Sequence, residues 1–168
     1  MDRKTFEQLF NDTRMSLWRY LRRVCGDRAL AEDVFQEAYV RLLQRAPESF
    51  SHGDGRAYLY RLATNLLYDE FRARGRRQRW RRLWGIGEPS AEPRLPRSEI
   101  ETAFERLTLR ERTLLWLAHV EGHSHRQIAE IMGVREKSVR VLLARARQRL
   151  SRYVTGGDAL GSLRAQTP

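Results

Sequence analysis

A chain of 168 residues has room for one medium domain or two small ones, and 41% hydrophobic with 32% charged residues suits a folded chain with a heavily charged surface. The single cysteine, Cys25, excludes an intramolecular disulfide, and no apolar run approaches a membrane span or a secretory core, so a cytosolic protein is expected. Net charge is +11, and it is unevenly placed: residues 1–71 carry 11 basic and 11 acidic side chains, residues 72–100 carry 9 and 3, residues 101–168 carry 12 and 7. Almost all of the excess is arginine, which suits bidentate contacts to phosphate and guanine, so two basic patches beside a neutral remainder read as a polyanion footprint.

In chain order, Phe6, Leu9, Phe10, Leu17, Leu21 and Val24 recur at helical spacing until Gly26 stops the helix. Asp27 is the expected N-cap of a second helix with an apolar stripe of Val34, Phe35, Ala38, Leu42 and Leu43, closed by Pro47. After a polar loop, Asp54 is expected to cap a third helix whose inner face reads Leu59, Tyr60, Ala63, Leu66, Leu67 and Phe71. That helix runs into Arg72, Arg74, Arg76, Arg77, Arg79, Arg81 and Arg82, seven arginines without one acid. Residues 85–97 hold three of the five prolines and no period, the pattern of a flexible linker.

Helix signals return after the linker. Ser98 with Glu101, Thr108 with Glu111 and Ser124 with Gln127 each match a capping box, so short helices with sharp turns are expected. Gln127 to Val134, followed by Arg135-Glu136-Lys137-Ser138-Val139, has helix-turn-helix spacing: Ala129 is small where two helices cross, and Gly133 sits where positive φ is cheap. The second helix turns Val139, Leu143, Ala146 and Leu150 inward and carries Arg140, Arg145, Arg147 and Arg149, a basic helix suited to the major groove. From residue 154 to Pro168 a small, polar, disordered tail is expected. The fold class is all-α: two small helical domains (residues 1–84 and 98–153) joined by a linker, the second a helix-turn-helix.

With these segments in view, the chain resembles the extracytoplasmic-function (ECF) sigma factors, the two-domain promoter-specificity subunits of bacterial RNA polymerase. Ala31 to Leu42 resembles the family's segment that binds the polymerase clamp, Arg56 to Leu67 its promoter −10 helix, and Leu107 to Leu150 its −35-binding domain. The resemblance implies that Asp33, Gln36 and Glu37 bind core polymerase. It implies that Phe50, Ser51, His52, Tyr58, Arg61 and Asn65 meet the −10 element, with Tyr58 on the exposed side of its helix and Asn65 lining a pocket for a flipped base. Stacking on aromatics and pairing with an amide suit unwound DNA. Arg72, Arg74, Arg76 and Arg77 would hold phosphates there. For the −35 element it implies Arg126, Lys137, Ser138, Arg140, Val141, Ala144, Arg145, Arg147 and Arg149. Val141-Leu142 stands where the family usually has Ser-Arg, so the −35 sequence read is expected to differ. The implied partners are core RNA polymerase, promoter DNA and an anti-sigma protein, with no cofactor, no catalysis, no membrane insertion, and a monomer when free.

Two other classes compete. A stand-alone helix-turn-helix regulator accounts for residues 107–150 but leaves the first three helices unexplained. A metal-dependent nuclease using Asp33 and Glu37 lacks a third acid nearby and sits in the neutral half. His119, Glu121, His123 and His125 cluster, but their order is not the zinc-protease pattern, and Gly122 interrupts the helix.

Overall fold

Every sharp turn between the described helices is closed by side-chain caps or by a left-handed glycine. The computed structural model describes residues 2–45, 52–83 and 98–164, with side chains over 2–44, 55–76 and 98–155. α1 (Arg3–Cys25) starts where Asp2 accepts from the Thr5 amide, and stops at Gly26 with φ +72°. Asp27 then accepts from the Leu30 amide at 3.0 Å and opens α2 (Arg28–Arg45). Burial opposes ionisation of Asp27, but the Leu30 amide and the Arg74 guanidinium outweigh it and hold its carboxyl below the usual carboxylate range.

α3 (His52–Leu83) begins two residues before Asp54, the cap expected from the sequence. At 32 residues it is about 48 Å long, so residues 72–82 belong to the distal end of one continuous helix. α1, α2 and α3 enclose Leu17, Leu21, Ala38, Leu42, Leu59 and Leu67, all with no exposed surface. Two buried hydroxyl pairs join them: Thr13 with Tyr39 and Tyr20 with Thr64, each at 2.8 Å. Phe6, Phe10 and Phe35 pack their rings against Tyr39 on the outer side.

The second half comprises α4 (Glu99–Arg106), α5 (Leu109–His119), α6 (His125–Met132) and α7 (Glu136–Arg164). All three expected capping boxes form, at Ser98, Thr108 and Ser124, each with both reciprocal bonds. α6 ends at Gly133 with φ +63°, and the Val134 amide reaches back to the Ala129 carbonyl at 3.0 Å. α7 packs on α4, α5 and α6 through Val139, Leu143 and Ala146. It continues to Arg164, through much of the expected tail: a helix already formed extends cheaply, even across Gly156-Gly157. The expected linker, residues 85–97, lies outside the described residues. No helix among the described residues is long and apolar enough to cross a membrane.

The halves do not stand apart. α6 packs along α3, α5 against α1, and the buried side chains of both halves form one continuous cluster.

Candidate nucleic-acid interface

At about 100° per residue, Tyr58, Arg61, Asn65, Arg72 and Arg76 fall within roughly 60° of arc on α3. Arg61, Asn65, Arg72 and Arg76 are exposed. Tyr58, expected on the exposed side, is instead half-buried: its ring packs partly against the core, and the Arg61 guanidinium lies over it, 4.9 Å from the centroid. Arg72 pairs with Asp69 at 2.5 Å. Arg74 departs from the expected group: it lies on the opposite side of the helix and binds Asp27. Helical periodicity therefore puts Arg72 and Arg76 on the outward face and Arg74 in a structural tie. Phe50 and Ser51 lie outside the described residues, as do the side chains of His52 and Arg77.

On α7, Lys137, Val141, Ala144 and Arg145 are exposed and opposite the buried Val139 and Ala146. Val141 is 50% exposed, so it presents its methyls outward, whereas Leu142 packs partly into the core. The substitution at these two positions thus has two consequences, one at the surface and one in packing. Arg140 and Arg147 flank one side and line a cleft of about 340 Å³ with His119, His123 and His125. Arg149 flanks the other side and pairs at 2.7 Å with Glu111, the carboxylate that also completes the Thr108 capping box. Arg126 is exposed and paired with Glu130 at 3.2 Å, while Ser138 is half-buried.

α2 brings Asp33, Gln36 and Glu37 to one outward face, with Glu37 also holding Arg41 at 2.7 Å. Sequence reasoning missed the apolar part of this face. Leu43, expected in the inner stripe, is 57% exposed, and Val40 is 45% exposed. Counting turns from Asp33 reveals it, since positions 33, 36, 37, 40 and 43–44 share one side of a helix.

Glu121 was legible only as a member of a histidine-rich cluster. Its side chain, 4% exposed, lies between the halves and accepts from Tyr60 Oη at 2.7 Å, an Arg56 Nη at 2.9 Å and Trp116 Nε1 at 3.0 Å. His123 packs edge-on against the Tyr60 ring, with centroids 5.1 Å apart. Burial, and then the nearby Arg56 cation, hold the His123 imidazole below its ordinary pKa. Among the described residues no group of three or more His, Cys, Asp or Glu is placed to hold a metal ion.

Two family models match the chain: Sigma-70 region 2 over residues 9–77, and Sigma-70 region 4 over residues 97–150. It is 33% identical to the ECF RNA polymerase sigma factor SigL of Mycobacterium tuberculosis, over 79% of this chain and 78% of that protein. It is 26% identical to the ECF RNA polymerase sigma factor SigE of Mycolicibacterium smegmatis, over 89% of this chain and 62% of that protein. In fold it is similar to the sigma factor RpoE of Bartonella quintana, solved with the anti-sigma factor NepR: TM-score 0.74, 23% identity, 90% of this chain and 98% of that one.

Proposed function

This chain belongs to the ECF RNA polymerase sigma factors, and on that premise we propose which of its faces meets polymerase and which meets each promoter element. As a sigma factor it directs core polymerase to specific promoters and initiates transcription there. A stand-alone helix-turn-helix regulator does not account for the match of its first half to Sigma-70 region 2. It contributes binding energy and carries out no chemistry of its own, working in the cytoplasm beside the polymerase and its DNA.

Asp33, Gln36 and Glu37 bind a basic surface of core polymerase, and Val40 and Leu43 add an apolar centre to that contact. Exposed apolar groups beside acceptors are the make-up of an interface core and its rim. The α3 face receives the −10 element. Tyr58 stacks on an unwound base once Arg61 swings to a phosphate, Asn65 reads a base edge, and Arg72 and Arg76 follow the backbone. In the −35 element Val141 meets a thymine methyl and Arg145 a guanine, while Lys137 and Arg147 hold phosphates. An anti-sigma protein is a further partner, by analogy with RpoE and NepR.

The observation that carries this reading is the shared α3 face, where one amide and three arginines are exposed beside the half-buried ring of Tyr58. Run-off transcription with core polymerase on duplex and pre-melted promoters tests it. Tyr58→Ala is expected to lower open-complex formation on duplex and to recover on templates mismatched across the −10 element. Asn65→Ala is expected to remain defective on both. Two variants that transcribe like the wild type would assign melting to another surface.

A further inference from the structure

The cleft beside the recognition helix gathers cations and is lined by no acid. Arg140 and Arg147 of α7 share it with His119, which ends α5, His123, which precedes α6, and His125, which begins α6. The two arginines are about two turns apart on the same side of α7, so both arms reach the one concavity. Arg126 and Arg149, in the same half, are tied to Glu130 and Glu111. Arg140 and Arg147 have no ion pair or hydrogen bond among the described residues. Like charges gathered in a concavity repel one another, and an anion between them removes that cost.

The inner wall points the same way. His123 is 8% exposed, and its Nε2 is buried with no partner in the chain. An unpaired buried nitrogen carries a desolvation cost that an acceptor oxygen entering the cleft relieves. At about 340 Å³ the cleft accommodates a phosphate group, whose oxygens accept from guanidinium and imidazole N–H donors. Arg140 and Arg147 flank the face of α7 that carries Val141 and Arg145. The phosphate within their reach is therefore one on the backbone of the duplex that this face reads, and to that extent the inference rests on the −35 reading proposed above.

Histidine changes charge in the range of physiological pH. His119 and His125 are exposed, and Arg140 and Arg147 share the cleft with them. His125 also borders a neighbouring cleft with Arg135, Glu136 and Lys137, where the one acid is outnumbered. Glu121 is held by Arg56, Tyr60 and Trp116, behind His123. A phosphate among these groups favours the charged imidazole, so binding takes up protons and affinity falls as pH rises.

We propose that this cleft is a phosphate site: Arg140 and Arg147 grip one phosphate of the −35 backbone, and His119 and His125 take up a proton as it binds, tying promoter affinity to pH.

The full chain bound to core polymerase, with a −35 duplex selected by that complex, is followed by fluorescence anisotropy at fixed salt. Between about pH 8 and about pH 6 the wild type is expected to gain about tenfold in affinity. His119→Gln with His125→Gln keeps neutral donors and should lose most of that gain, whereas His123→Phe should retain it. Arg140→Gln with Arg147→Gln should weaken binding on the order of tenfold at each pH and flatten its salt dependence. An uncharged methylphosphonate, moved along the backbone, should abolish the gain at one position. In the free chain, inorganic tripolyphosphate should shift the imidazole NMR signals of His119 and His125, and the double arginine variant should not respond.

A gain that survives in the double histidine variant, or that His123→Phe abolishes, overturns the role of the exposed imidazoles. Imidazole signals that tripolyphosphate leaves unmoved overturn the phosphate site. Signals that move, with a gain that no methylphosphonate position alters, assign the cleft to free phosphate compounds and overturn the backbone assignment. A wild-type complex that fails to bind any −35 duplex counts against the reading face, while the tripolyphosphate titration of the free chain still decides whether the cleft takes phosphate.

Discussion

The interior of each half and the seam between the halves are built from different chemistry. The interiors are aliphatic and aromatic, with Thr13 paired to Tyr39 and Tyr20 to Thr64; the seam carries an acid, two arginines, a histidine and tyrosines. Aliphatic burial is non-directional and tolerates no water, so it specifies a permanent core. Polar burial is directional and nearly balanced against hydration, so it specifies a contact that forms and parts. The difference teaches which surfaces of one continuous cluster belong to the fold and which to a conformational equilibrium.

The largest expected effect lies in the interiors. Leu42→Ala and Leu143→Ala should each cost about 2–5 kcal/mol in urea unfolding. If they cost no more than Arg56→Gln with Tyr60→Phe, the distinction between core and seam fails.

Next comes the recognition helix, whose outward face lies away from the seam. Arg145→Ala should cost about 1–3 kcal/mol at one −35 base pair, and Arg147→Ala should weaken all sequences alike. Selection from a −35 library at fixed salt measures both. The same preferences should appear in the Glu121→Gln background, since base reading by α7 is independent of the seam. A changed motif there would mean that the seam shapes the reading face.

Thr108→Ala should cost about 1 kcal/mol of stability in the second half alone, by removing one side of a capping box. Hydrogen exchange should show faster opening of α5 with the α1–α2 amides unaffected. Equal acceleration in α1 and α2 would mean that the halves unfold as one unit and the seam is no weak joint.

The smallest effect is that of acid. His123 is held neutral in the seam, so the contact between the halves is fully stable above its ordinary pKa of 6.5 and weakens as pH falls through the depressed value. The ratio of parted to joined halves should rise by at most about tenfold per pH unit there, read by the distance between spin labels at Met15→Cys on α1 and Ser151→Cys on α7, in a Cys25→Ala background. Arg56, Glu121 and Tyr60 face this imidazole, so His123→Phe is the control: it should abolish the pH dependence. Opening by acid that persists in His123→Phe removes His123 as the group responsible.

The sequence by itself determined the helices and most of their ends, the start of α3 and the end of α7 excepted. Capping boxes at Ser98, Thr108 and Ser124, and the stops at Gly26 and Gly133, depend on residues within four positions of one another, so local chemistry decides them. Family likeness was legible for the same reason, since its motifs are contiguous. Tertiary structure alone decided which member of a local group faces where. Arg74 leaves the arginine run for Asp27, 47 residues away. Glu121 becomes the buried acid that joins the halves. Each of these outcomes turns on a partner distant in sequence, and the energy of burying or pairing a side chain belongs to the pair, which no local pattern records.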